Sequence, residues 1–206
     1  MRWYSFFSSE NPVWKPFAYI ADILFLSFMW LLCSIPLFTL GASGTALYDS
    51  VAHGFCLKEK DIYQRFFRTF KRELAASVPS ALLWGLILGL CYIGLRSFVF
   101  SAAPTDSSYV LAVAGLLLLI CAAGIFCWVF PLLSRFTFGF ISLNVTALKL
   151  AFKYLPISLA MGLSLWLCLY LCVSYLYPVF VLPALMVYLW ALMLEPVFRK
   201  YSDSED

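Results

Sequence analysis

The chain has 206 residues, of which 64% are hydrophobic and 12% charged, with a formal net charge of +3. Soluble domains carry about 25% charged residues, so a soluble fold is excluded: too few polar side chains exist to cover its surface. The composition leaves no room for a separate soluble domain and predicts one all-α domain, a polytopic transmembrane helical bundle.

Residues 1–16 do not read as a cleavable signal, because no short apolar core leads to a small-residue cleavage site. Trp3, Tyr4, Phe6, Phe7 and Trp14, with Arg2 and Lys15, read instead as an interfacial segment with its rings at headgroup level. Five apolar runs are each long enough to cross a bilayer core, which takes about 20 residues: 17–40, 76–100, 109–133, 154–175 and 178–197. A sixth run, 42–57, would be about 24 Å long as a helix, short of the roughly 30 Å core, and it contains Asp49 and His53. It reads as a short sixth span or as a helix on the cytoplasmic face. Pro36 and the Gly41-Ala42-Ser43-Gly44 stretch favour a sharp reversal just before it.

Charge placement bears on the choice, since Lys and Arg collect in cytoplasmic loops. Lys58, Lys60, Arg65, Arg68, Lys71 and Arg72 set their connection inside, and 101–108 has no Lys or Arg. With 42–57 spanning, every basic residue except Arg96 is cytoplasmic; without it, Arg2 and Lys15 also fall outside. The count favours six segments with both ends inside. The stretch 65–72 reads as a basic, aromatic surface helix, and 137–153, with Asn144, Lys149 and Lys153, as a cytoplasmic or interfacial amphipathic helix. There is also a faint internal echo, Pro36-Leu37-Phe38-Thr39 against Pro131-Leu132-Leu133-Ser134, but its spacings differ from one half to the other.

Ionisable residues within apolar segments are the candidates for function, because a charge at the bilayer centre costs about 2.5–3.5 kcal/mol. Asp22, Asp49 and Glu195 qualify. Glu195 precedes Arg199 by four residues, good spacing for a local ion pair. Asp49 and His53 share a helix face at i and i+4, and His53 is the single histidine; together they can bind a polar solute, relay a proton, or simply brace a short helix. Arg65, Arg68, Lys71 and Arg72 are the candidate contacts to anionic lipid or to a protein partner. Nucleic acid is not an expected partner of so short a patch.

The seven cysteines include no Cys-x-x-Cys pair and read as buried hydrophobes, so neither metal nor cofactor is expected. No nucleophile–base set converges, which predicts a non-enzymatic protein. Gly85 and Gly89 form a small-xxx-small pattern, read as close packing within the chain in preference to self-association. Asn144-Val145-Thr146 fits a glycosylation pattern on the wrong side of the membrane.

Ala21-Asp22, Trp30-Leu31-Leu32-Cys33-Ser34-Ile35-Pro36, Thr39-x-Gly41-Ala42-Ser43 and Ala46-Leu47-Tyr48 together resemble the YesL family of bacterial integral membrane proteins. Phe66-Phe67-Arg68-Thr69-Phe70-Lys71 and Phe130-Pro131-Leu132-Leu133-Ser134-Arg135-Phe136 extend the resemblance, while Asn144-Val145 departs from the family's asparagine–alanine pair. No activity is established for that family. The resemblance implies an accessory role beside carbohydrate ABC importers, with permease subunits as partners; the alternative reading is a small-solute transporter built around Asp49 and His53.

Overall fold

The computed structural model describes residues 15–56, 61–101, 106–136, 139–175 and 177–202, and these residues are all-α. Helix α1 (Lys15–Ser34) leads through a short 3-10 turn (Leu37–Thr39) to α2 (Leu40–Val51), which ends in a π-turn (Ala52–Cys56). Then follow α3 (Ile62–Ser101), α4 (Asp106–Arg135), α5 (Phe140–Lys153), α6 (Leu155–Tyr175) and α7 (Leu182–Ser202). The interfacial aromatics of 1–14 and the residues Lys58 and Lys60 lie outside the described residues.

Proline accounts for the first reversal. Pro36 cannot continue the hydrogen-bond ladder and disfavours helical geometry at Ile35, so α1 stops at Ser34, short of the expected 40. The Thr39 hydroxyl lies 2.5 Å from the Cys33 carbonyl and 2.6 Å from that of Pro36, satisfying acceptors that the helix end leaves open. Ser34 and Ser43 hydroxyls then meet at 2.8 Å, tying α1 to α2.

α2 lies in the centre of the bundle. From Gly41 to Val51 all residues except the half-buried Gly44 are buried. Helices α1, α3, α4 and α7 all pack on this helix, so it is enclosed by protein. The basic patch and the following apolar run form one continuous helix, α3, which passes through Pro79. At 1.5 Å per residue it is about 60 Å long, twice the thickness of a hydrocarbon core.

Among the described residues three helices are long and apolar enough to cross a membrane, Ile62–Phe98, Tyr109–Arg135 and Leu155–Tyr175, and two shorter apolar ones are Tyr19–Ser34 and Leu182–Phe198. Their outer faces carry Leu82, Leu86, Leu90, Leu116, Leu163 and Leu189, all well exposed. Such a surface suits lipid as the solvent, with backbone polar groups satisfied inside helices.

Helices α4 and α6 approach each other backbone to backbone. A Cβ on Gly124 would sit 2.3 Å from the Ser158 carbonyl oxygen, and one on Gly162 2.3 Å from that of Ile120. Only glycine fits at either position. Gly85 and Gly89, by contrast, have nothing within 4 Å of a Cβ built on them, which corrects the expectation that they pack inside the chain. Their stretch of α3 turns outward with Leu82, Leu86 and Leu90.

Candidate polar site between α2 and α3

The site follows from two four-residue periodicities. On α2 and its π-turn, Gly41, Thr45, Asp49 and His53 recur at i+4; on α3, Arg65, Thr69, Glu73 and Ser77 do the same. Residues so spaced share a helix face, and the two faces pack antiparallel. A Cβ on Gly41 would meet Ser77 and Ala81 at 3.0 Å, while Asp49 meets Thr69 and Arg65 at the other end. The register that pairs 41 with 77 and 49 with 69 sets Thr45 opposite Glu73.

Asp49 is 3% exposed. Its Oδ2 accepts from Thr69 Oγ1 at 2.6 Å and from Arg65 Nε at 3.0 Å. Its Oδ1 lies 3.1 Å from His53 Nδ1, which is also 2.9 Å from the Asp49 backbone carbonyl. Both neighbours of Nδ1 are acceptors, so this nitrogen carries the proton. Asp49 is thus an anion with charged, hydroxyl and imidazole donors, the arrangement a buried carboxylate needs. The π-turn places His53 here; such turns are frequent at functional positions.

Among the candidate residues, Asp49 and His53 meet as anticipated, and Arg65 joins them. Arg65, expected among the surface cations, turns inward, where the buried Asp49 requires a counter-charge. Arg68, Lys71 and Arg72 are exposed, and Arg72 Nε also donates to Glu73, which is 7% exposed. Asp22 stays apart from the cluster, accepting from the Tyr63 hydroxyl across α1 and α3. Glu195 pairs with Arg135 of α4, whose guanidinium lies 5.6 Å from the centre of the Phe198 ring; the side chain of Arg199 is outside the described residues.

Sequence reasoning missed Thr69 and Glu73, although their i+4 spacing from Arg65 is readable in the sequence. It also missed the polar link to α5. Asn144 Oδ1 accepts from Trp84 Nε1 at 2.7 Å, and its Nδ2 donates to the Phe140 carbonyl at 2.7 Å and the Ser80 hydroxyl at 3.3 Å. Ser77, Ser80 and Trp84 continue the buried stripe of α3 beyond Glu73, so polar contacts extend along one side of this helix from Arg65 to Trp84. Among the described residues no three His, Cys, Asp or Glu side chains are grouped to hold a metal ion.

Residues 22–95 match the model of a family described as a protein of unknown function, DUF624. The matched stretch includes the Asp22–Tyr63 link and the whole Asp49–His53–Arg65–Thr69 cluster, so the similarity covers the candidate site. No curated protein and no solved structure matches.

Proposed function

We propose that this protein is a non-enzymatic accessory component of a carbohydrate import system, crossing the cell membrane six times with both ends cytoplasmic. The observation that carries the reading is the division of α3 into two faces. Its inner face commits Arg65 and Thr69 to Asp49. Its outer face leaves Phe67, Arg68, Lys71 and Arg72 exposed on a helix held by that lock. A rigid helix with one aromatic and three cations suits docking of a membrane neighbour's cytoplasmic surface. The resemblance to the YesL family supplies the link to sugar importers and the ABC permease as the partner.

The test is co-purification under gentle solubilisation. Tagged protein brings down a permease subunit, and the triple change Arg68→Glu, Lys71→Glu, Arg72→Glu abolishes recovery while leaving helicity unchanged. Recovery of no permease from the native membrane would defeat the reading.

A second reading, a small-solute transporter, is favoured by one observation: a buried carboxylate sits beside the only histidine in an apolar bundle. Solute flux in proteoliposomes that Asp49→Asn abolishes would support it. Flux absent from wild-type vesicles would remove it.

A further inference from the structure

A pair of reactive side chains lies on α6, outside the α2–α3 site. Of the seven cysteines in the sequence, Cys168 and Cys172 alone stand within four residues of each other. At i and i+4 they share a helix face, and their sulfurs lie 4.0 Å apart. Cys168 is 7% exposed and Cys172 is half-buried. The pair continues the inward stripe of α6 that carries Ser158, Met161 and Leu165.

A disulfide does not suit this spacing. Cβ atoms at i and i+4 of a regular helix are about 5–6 Å apart, whereas a disulfide holds them at roughly 3.5–4.5 Å. Closing one would unwind α6 locally. The gap between the sulfurs suits a single bridging ion instead. With metal–sulfur bonds of about 2.3 Å, sulfurs 4.0 Å apart subtend an angle of about 120° at the ion. A small rotation of the half-buried Cys172 thiol opens that angle toward the linear arrangement of a two-coordinate ion.

The surroundings select the kind of ion. Helix α6, Leu155–Tyr175, contains no Asp, Glu, His, Lys or Arg, and among the described residues no group of three His, Cys, Asp or Glu side chains is assembled. Calcium and magnesium demand a shell of oxygens, and a structural zinc site demands a full tetrahedral set of ligands. A soft monovalent cation such as Cu⁺ prefers sulfur and is satisfied by two donors. Charge agrees. Helix α6 is long and apolar enough to cross a membrane, so a bound ion must be neutralised where it sits. One thiolate does that for a monovalent ion. Cys172 lies within a turn of the end of α6 at Tyr175, which gives the ion a short route in.

We propose that Cys168 and Cys172 form a two-sulfur site for a soft monovalent cation, Cu⁺, near the C-terminal end of α6. The ion replaces the proton of one thiol, which passes to solvent, and the second thiol coordinates through its neutral sulfur. No oxidation state changes, and the loaded site carries no net charge. The proposal is independent of the sugar-import reading, since it uses neither the α3 surface nor the Asp49 cluster.

Anaerobic titration of the full chain in detergent with Cu⁺, against a chromogenic Cu⁺ chelator as competitor, tests it. One Cu⁺ per chain is held against the chelator, and X-ray absorption shows sulfur as its sole ligand. Cys168→Ser and Cys172→Ser each lower the affinity at least about 100-fold, since changes outside a metal's ligand set already cost roughly 10–100-fold. Cys168 is buried and its variant can fail to fold; the half-buried Cys172 then carries the test, with circular dichroism as the folding check. Cys91→Ser and Cys121→Ser leave the bound ion in place. Failure of the wild-type chain to hold Cu⁺, equally tight binding of Zn²⁺, nitrogen or oxygen ligands in the absorption spectrum, unchanged affinity in the Cys172 variant, or a loss that follows Cys91 or Cys121 instead would each overturn the proposal.

Discussion

Asp49 of α2 and Arg65 of α3 meet at 3.0 Å, carboxylate to guanidinium, with the acid almost completely buried and the base about one-third exposed. The pair joins the central helix to the helix that carries the exposed cations. A buried ion pair is weak evidence of net stabilisation, but removing one member strands the other. Asp49→Ala therefore costs about 3 kcal/mol, the low end of that range, because Arg65 can still reach water. In a double-mutant cycle, Asp49→Asn and Arg65→Gln couple by about 1–3 kcal/mol. Denaturant unfolding in micelles measures both, and a coupling near zero would show that the contact does not hold the helices together.

The glycines separate into two classes with opposite expected behaviour. Gly124→Ala and Gly162→Ala each place a methyl against a backbone carbonyl at 2.3 Å, so α4 and α6 must move apart at a cost of about 1–3 kcal/mol. Gly85→Ala and Gly89→Ala meet nothing in the chain and raise stability by about 0.5–1 kcal/mol through helix propensity. Thermal melts of the four variants check the contrast. Destabilisation by Gly85→Ala or Gly89→Ala would reveal a contact with a neighbouring molecule.

Asn144 is the polar link between α5 and α3. Replacing it with Leu leaves Trp84 Nε1 without its acceptor, a loss of about 1–3 kcal/mol. In a Trp84→Phe background, where no donor remains, the same substitution costs markedly less. The difference between the two backgrounds, read from unfolding midpoints, isolates the hydrogen bond from the packing of the side chain.

The proposed six-crossing topology predicts a labelling pattern. In a cysteine-free background, Ser107→Cys reacts with a membrane-impermeant maleimide in intact cells, whereas Lys58→Cys and a cysteine added at either terminus react only after permeabilisation. Labelling of the N-terminal cysteine from outside would reduce the crossings to five and place α2 wholly on one side.

The helical, membrane-type character and the approximate places of most helices follow from the sequence alone. Composition and run length answer directly to the bilayer, and both are properties of a segment read by itself. The Asp49–His53 meeting is legible for the same reason, since i and i+4 contacts need nothing beyond one helix. Arg65 and Thr69 as partners of Asp49, Arg135 as partner of Glu195, and Gly124 with Gly162 at the α4–α6 crossing all depend on which face of one helix meets which face of another. Periodicity offers candidate faces but not their pairing or register, so Arg65 reads as a surface cation until α2 is laid against α3. The exposure of Gly85 and Gly89 has the same origin: a small-residue motif permits close approach, and only the arrangement of the other helices decides whether anything approaches.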